Sequence, residues 1–124
     1  MAAKLAWLAL AGTLGTWARF GLAGLVQRLG PSFPIGTLAV NTLGCFLFGV
    51  VWTLAEDRLI ISGQTRFIIL TGFMGAFTTF STFAFETGQM MRDAEWLLAG
   101  LNVVVEVALG LGFFFLGIFL GRQF

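Results

Sequence analysis

The chain has 124 residues, of which 58% are hydrophobic and 10% are charged, and its formal net charge is +1. Its mean hydropathy is +0.95, whereas a typical soluble domain has about 25% charged residues. This composition excludes an ordinary soluble domain. We expect a membrane protein that is not an enzyme and has no nucleic-acid partner, and no ATP-binding or redox-cofactor motif is visible.

Four apolar stretches, at about 5–27, 35–55, 66–90 and 96–121, are each long enough for a transmembrane helix, which takes about 20 residues. The first begins with Lys4 and small residues, as a secretory signal does, but its apolar character continues to about Val26, so we interpret it as a span. Glycine, proline and charged residues separate the stretches at 30–34, 56–64 and 92–95. The predicted fold is all-α, with a single four-helix transmembrane domain over 1–124.

The second stretch carries a polar stripe on an otherwise apolar helix. Thr37, Asn41 and Gly44 follow one another at spacings of four and three residues, so they share one helix face. Lipid offers polar side chains no hydrogen-bonding partner, so this face must contact protein or water. Asn41 either holds two helices together or donates an N–H group to a passing anion, and the sequence leaves both interpretations open.

Glycines, hydroxyls and phenylalanines are concentrated in the third stretch, between Gly72 and Phe83. Glycine weakens a helix, and hydroxyls can pair with backbone groups that a break sets free. We therefore predict a helix broken at about mid-membrane, and breaks of this kind line ion pathways. Phe80 and Phe83 share a face after the break, flanked by Thr79 and Glu86. Electropositive ring edges beside hydroxyl donors could stabilise a small anion, although ordinary packing is the other interpretation.

The fourth stretch places Asn102, Glu106 and Gly110 on one face, at intervals of four residues. A carboxylate in the membrane interior costs several kcal/mol unless it is neutralised or hydrated. Three explanations stay open for Glu106: an ion pair with Arg19, protonation, or a position in a water-filled vestibule.

Basic residues differ little in number between the two predicted sides of the membrane. One side has Lys4, Arg58, Arg66 and Arg122, and the other has Arg28 and Arg92, with Arg19 inside the membrane near that second side. Because so small a difference specifies orientation weakly, the chain is compatible with an antiparallel homodimer. A single orientation with a cytoplasmic N-terminus stays an alternative. Four short helices can hardly enclose a pore, so we expect an oligomer.

Three motifs together resemble the Fluc/CrcB fluoride channels of microbes. They are Gly12-xx-Gly15-xxx-Arg19, Gly36-Thr-Leu-Ala-Val-Asn41-Thr-Leu-Gly44 and Gly72-Phe-Met-Gly75-Ala-Phe-Thr-Thr-Phe80-Ser-Thr-Phe83. The resemblance covers nearly the whole chain, and the third motif is the most specific. It implies an antiparallel, dual-topology homodimer in the inner cell membrane of a microbe. Two pores built from both subunits would conduct fluoride passively and relieve fluoride toxicity.

The resemblance also implies roles for individual positions. Asn41 matches the pore donor of the second span, Phe80 and Phe83 match the pore phenylalanines, and Ser81 and Thr82 match hydroxyls near the ion path, with Thr79 beside them. A central structural sodium ion would bind backbone carbonyls of Gly75 and Thr78 from both subunits, and oxygen ligands suit such a hard cation. Arg19 resembles a first-span arginine near the vestibule, and Glu86 resembles a third-span acid.

The fourth span departs from the familiar pattern of this family, in which small hydroxyl or other polar side chains follow the ion path. Asn102, Glu106 and Gly110 stand there instead, and a charged Glu106 would repel fluoride. We therefore assign Asn102 and Glu106 to the vestibule or to gating, and hypothesise that Glu106 influences transport.

Two other functions compete with a fluoride channel. A small multidrug-resistance exporter is also a short, dual-topology homodimer, and it exchanges cationic compounds for protons through an acid in its first span. This chain has no first-span acid, although Glu86 or Glu106 could take that role. A non-transporting membrane assembly subunit would explain the glycines but not the polar stripes.

Overall fold

The computed structural model describes residues 1–30 and 32–124, so Pro31 of the predicted first loop lies outside the described residues. The helices in chain order are α1 (Ala2–Gln27), α2 (Ile35–Glu56), α3 (Gly63–Phe67), a π-helical segment (Ile68–Met74), α4 (Gly75–Phe77), α5 (Phe80–Arg92) and α6 (Trp96–Gly121). No β-strand occurs within the described ranges. The prediction of an all-α fold is confirmed.

Three helical stretches are long and apolar enough to cross a membrane: Ile35–Glu56, Gly63–Arg92 and Trp96–Gly121. They match the second, third and fourth predicted spans. α1 has 26 residues, which corresponds to about 39 Å of helix, but Thr13, Thr16 and Arg19 make it less apolar than the others. The crossing of the membrane by α1 stays a prediction.

Glycines bring α2 and α6 into close contact. The Cα of Gly117 faces the backbone carbonyl of Phe46, and the Cα of Gly49 faces the backbone carbonyl of Phe114. A Cβ on either glycine would meet that backbone, so both contacts require the absence of a side chain. Gly121 packs closely against the side chain of Thr53. Gly117 and Gly121, one turn apart, therefore both lie at the contact between α6 and α2.

The first half of the third span packs between α1 and α2. Gly15 of α1 approaches the Phe73 backbone, and Gly72 approaches the Cβ of Ala11. The buried core lies at this junction and consists of Val40, Leu70, Met74 and Phe77. The helical segment that precedes the predicted break therefore packs against both α1 and α2.

The side chain of Gln27 binds the loop between α1 and α2 through hydrogen bonds, a role that the sequence did not predict. α2 begins after Pro34, whose side chain cannot cap a helix. The Gln27 Oε1 atom accepts a hydrogen bond from the Gly36 N–H at 3.0 Å. Its Nε2 group donates to the carbonyls of Gly30 and Phe33 at 2.9 and 2.8 Å. The Gln27 side chain therefore provides hydrogen bonds both to an amide at the start of α2 and to two carbonyls of the loop.

Charged side chains join the helix ends at one end of the bundle. Arg66 forms an ion pair with Glu56, and Arg122 pairs with Asp57 at 3.2 Å. The Lys4 Nζ atom lies 3.9 Å from the centre of the Phe67 ring. These contacts place Lys4, Arg66 and Arg122 at the same end, as the predicted topology requires.

We predict that Gly117→Ala lowers the thermal midpoint of the protein, because the added methyl group would push α2 away from α6. Overpacking of this kind costs about 1–3 kcal/mol. Circular dichroism of the purified protein in detergent, recorded on heating, measures the midpoint. Gly112→Ala is the matched control, since a Cβ on Gly112 of the same helix meets nothing within 4 Å. Equal midpoints for the two variants would contradict the prediction.

Candidate ion-binding groove

The third span is interrupted near its centre. α4 ends at Phe77, and Thr78 and Thr79 have extended backbones, with φ and ψ of −82° and 158° and of −150° and 106°. The helix resumes at Phe80. The predicted break is confirmed at the predicted motif.

Asn41 supplies the hydrogen bonds that the broken helix lacks. Its Oδ1 atom accepts from the Thr79 N–H at 2.8 Å, and its Nδ2 group donates to the Thr79 carbonyl at 3.2 Å. The side chain thus pairs with the Thr79 backbone as a neighbouring strand would. The interpretation that Asn41 joins two helices is confirmed, because α2 is bonded to the break.

A π-helical segment precedes the break, and the sequence analysis did not predict it. The wider turns cover Ile68–Met74, and such segments are frequent at functional sites. This segment contains Gly72, and Gly75 follows it directly. Glycines of this kind indicate a weakened helix but do not distinguish a π-helical turn from a simple interruption.

A groove open on one side lies beside the break, between α2, α5 and α6. We call it the anion groove; it is lined by Asn41, Gly44, Cys45, Phe48, Thr78, Thr79, Phe80, Phe83, Glu106, Val107, Gly110, Leu111 and Phe114. Among these lining residues there is no lysine or arginine. The groove therefore offers dipoles, ring edges and one carboxylate to an ion.

The two predicted phenylalanines lie together in the anion groove. The ring centres of Phe80 and Phe83 are 5.4 Å apart and their planes are tilted by 55°. Phe83 is half-buried, whereas Phe80 is 78% exposed in the single subunit. A large apolar ring with that exposure must contact lipid or another copy of the chain.

Three hydroxyls meet at the start of α5. The Thr79 Oγ1 atom lies 2.9 Å from Thr82 Oγ1 and 3.3 Å from Ser81 Oγ. Thr79 Oγ1 also accepts a hydrogen bond from the Thr82 N–H at 3.2 Å, which caps the helix. Ser81 is exposed, but neither Ser81 nor Thr82 is among the residues that line the anion groove.

Both membrane carboxylates are bonded to the polar stripe of α2. Glu86 accepts from the Thr37 hydroxyl at 2.8 Å. The Glu106 oxygens lie 3.3 and 3.4 Å from the Asn41 Nδ2 atom. Neither acid forms an ion pair with Arg19 in the described part of the chain. The ion pair with Arg19 is therefore not formed within the described part of one subunit, whereas protonation of Glu106 and its position in a water-filled vestibule stay predictions. Arg19 lies half-buried on α1.

Asn102 joins α6 to α5. Its Nδ2 group donates to the Thr87 hydroxyl at 2.9 Å, and that hydroxyl donates to the Phe83 carbonyl at 2.8 Å. Asn102 is 1% exposed and does not line the anion groove. Asn102 therefore helps to hold Phe83 in position through the hydroxyl of Thr87.

The break leaves several backbone carbonyls without their helical partners. In a continuous helix the Gly75 carbonyl would accept from the Thr79 N–H, and the Thr78 carbonyl would accept from the Thr82 N–H. These two amides donate instead to Asn41 Oδ1 and Thr79 Oγ1. The predicted sodium ligands are therefore among the carbonyls that the break releases, and carbonyl oxygen suits a hard cation.

Together, long apolar helices, a central helix break and a mostly apolar groove with a few polar groups define a multi-pass membrane protein of the kind that handles ions. The sequence model of the family described as "CrcB-like protein, Camphor Resistance (CrcB)" matches residues 6–118. The chain belongs to the CrcB family.

Similar proteins cover almost the whole chain. A protein of Nitrosococcus oceani, named "Fluoride-specific ion channel FluC", is 64% identical over 115 residues, which are 92% of each chain. Proteins with the same name from Desulforapulum autotrophicum and Nitratidesulfovibrio vulgaris are each 52% identical over 120 residues. The alignments cover 96% of this chain in both cases, and 96% and 97% of those relatives.

We predict that Asn41→Leu destabilises the fold, because the Thr79 N–H and carbonyl lose their partner. A buried polar group left without a hydrogen bond costs about 1–3 kcal/mol. A lower thermal midpoint and faster hydrogen exchange of the Thr79 amide are the expected results.

Thr42→Val is the control for this substitution. Thr42 is the next residue on α2, and its buried hydroxyl has no hydrogen-bond partner in the described structure, so its loss should not lower the midpoint. If Asn41→Leu were as stable as Thr42→Val, with slow Thr79 exchange, the pairing would not hold the break.

Proposed function

We propose that this protein is a passive, fluoride-selective channel that exports cytoplasmic fluoride. The observation that carries the proposal is the Phe80–Phe83 ring pair beside neutral polar donors at a helix break, in a chain 64% identical to a fluoride-specific channel. The name of that relative indicates fluoride as the anion. The ring edges and polar donors of the anion groove are groups that can bind such an anion.

The anion groove suits a small anion that must leave as readily as it enters. Ring edges carry partial positive charge, and hydroxyl and amide groups donate hydrogen bonds. Together they replace part of the ion's hydration shell. A lysine or arginine would bind the anion more strongly and slow its release, and the groove has neither. These features favour conduction over tight binding.

A second, antiparallel copy of the chain would complete the pathway. The anion groove is open on one side, and Phe80, Ser81 and Gly75 are exposed at the break. A partner that covers this face would enclose the ion path, and symmetry would produce two pores per homodimer. The weak difference in basic residues between the two sides is compatible with insertion in both orientations.

A sodium ion at the centre of the dimer fits the same backbone. The Gly75 and Thr78 carbonyls of both subunits would hold it, since their usual helical donors bond elsewhere. The ion would supply a structural positive charge that fixes the two breaks against each other. Within the described chain, no group of three or more His, Cys, Asp or Glu side chains offers a rival metal site.

In a bacterial inner membrane, this activity would relieve fluoride toxicity. Hydrogen fluoride is a weak acid that crosses membranes uncharged and ionises in a less acidic cytoplasm. Fluoride is then trapped unless a channel lets it leave down its electrochemical gradient.

A proton-coupled exporter of cationic compounds is less well supported. α1 contains no acidic residue. Glu86 and Glu106 are bonded to Thr37 and Asn41, and the anion groove is otherwise apolar or neutral. A non-transporting assembly subunit would give no reason for the polar groups at the helix break.

We expect the purified protein in liposomes to release fluoride but not chloride, without a proton gradient, and Phe83→Ile or Phe80→Ile to reduce that release at least tenfold. Isoleucine keeps apolar bulk but has no electropositive ring edge. A fluoride-selective electrode measures the efflux.

Phe85→Ile is the control, because Phe85 is on the same helix and does not line the anion groove. It should conduct as the wild type does. Absent fluoride efflux, or equal chloride efflux, from the wild type would overturn the proposed function. Normal flux in both groove variants would remove the rings from the mechanism.

We also predict that Gly75→Leu disrupts the dimer and its flux while the subunit still folds. Within one subunit, a Cβ at Gly75 meets only the Leu70 carbonyl, at an ordinary 3.9 Å, so steric conflict would arise only with a partner. Light scattering of detergent-solubilised protein, with Gly112→Leu as control, measures the oligomeric state. A conducting Gly75→Leu dimer would contradict this arrangement.

A further inference from the structure

The side-chain amide of Asn41 has two N–H groups, and both have acceptors. One donates to the Thr79 carbonyl at 3.2 Å. The same nitrogen lies 3.3 and 3.4 Å from the two oxygens of Glu106. The N–H that points into the anion groove is therefore shared between the two oxygens of a carboxylate.

Asn41 cannot turn to offer a different N–H to an ion. Its Oδ1 atom is bonded to the Thr79 N–H at 2.8 Å, and the Thr79 carbonyl holds the other side of the amide. Rotation would leave both backbone groups at the break without partners, at a cost comparable to two lost hydrogen bonds. The two contacts of the Nδ2 atom are similar in length, at 3.2 Å to the Thr79 carbonyl and 3.3 Å to Glu106. Because the Thr79 carbonyl belongs to the backbone whereas the Glu106 side chain can rotate, Glu106 is the partner that can exchange.

Among the described residues of one subunit, no lysine or arginine forms an ion pair with Glu106. It is 9% exposed, and the anion groove contains no basic side chain. The other ionisable groups near it are Cys45 of α2, which lines the groove, and Glu86 of α5, which is bonded to Thr37. Neither donates a hydrogen bond to it. Asn41 is thus the only side chain that the described structure shows donating to Glu106.

We propose that Glu106, in its ionised form, is a tethered anion that competes with fluoride for the inward N–H of Asn41. Carboxylate oxygen and fluoride are both small, hard acceptors, and one N–H group cannot serve both at full strength. An ion passing Asn41 must displace the carboxylate, so Glu106 sets the fluoride concentration at which the channel works. This inference rests on the proposed function and adds a residue that tunes it.

Glu106→Gln tests the competition, because glutamine keeps the size and an acceptor oxygen but loses the charge. A hydrogen bond to a charged group exceeds a neutral one by enough for about a tenfold change in affinity. Initial rates of fluoride efflux from liposomes, measured over a range of internal fluoride concentrations, give the half-saturating concentration. We expect Glu106→Gln to lower it about tenfold.

Glu95→Gln is the matched control, since it makes the same chemical change at the exposed start of α6, far from the groove. It should keep the wild-type value. Equal half-saturation in the wild type and Glu106→Gln would end the inference while the proposed function stood. Absence of fluoride efflux from the wild type and from every variant would instead end the proposed function.

A second comparison separates competition at Asn41 from general charge repulsion. In an Asn41→Ala background, Glu106→Gln should change half-saturation less than twofold, because the contested N–H is gone. A tenfold change there as well would show that the charge acts without Asn41 and would overturn the proposal.

Infrared spectroscopy tests the displacement without that background, which matters if Asn41→Ala does not fold. Fluoride added to the wild type should shift a carboxylate stretching band that Glu106→Gln lacks, and chloride should not shift it. An unchanged band at saturating fluoride would overturn the proposal.

Discussion

The pairing of the Asn41 side chain with the Thr79 backbone is the interaction on which the rest of the structure depends. A broken helix in a membrane exposes amides and carbonyls that lipid cannot satisfy, and each unsatisfied group costs several kcal/mol. Asn41 removes that penalty for Thr79, with bonds of 2.8 and 3.2 Å. The hydroxyl of Thr79 also caps α5. Thr79 and its partner Asn41 on α2 therefore fix the backbone on both sides of the break.

The break in turn decides what the backbone can offer to ions. The amides that would bond the Gly75 and Thr78 carbonyls donate to side chains instead, while the ring pair and the hydroxyls begin one residue later. Carbonyl acceptors and polar donors therefore follow one another along a single segment of the chain.

Close helix packing brings the carboxylate to this site. Gly49, Gly117 and Gly121 let α2 and α6 approach until backbone meets side chain or backbone, and Glu106 then reaches Asn41. Larger residues would hold the helices apart and lengthen a contact that is already 3.3 Å. The small residues that look like generic packing in the sequence therefore also set the electrostatics of the anion groove.

The sequence by itself determined the all-helical class and the positions of the helices. It also determined the break at the glycine and hydroxyl motif and the face that Phe80 and Phe83 share. All of these features follow from local composition and helical periodicity. Only the tertiary structure decided which partner each polar side chain has. Asn41 meets Thr79 across 38 residues and Glu106 across 65, Glu86 bonds Thr37, and Asn102 turns to Thr87 rather than lining the groove. The sequence also did not predict the hydrogen bonds of Gln27 or the π-helical turns. The packing of distant helices determines which hydrogen-bond partners meet, and local composition carries no information about that packing.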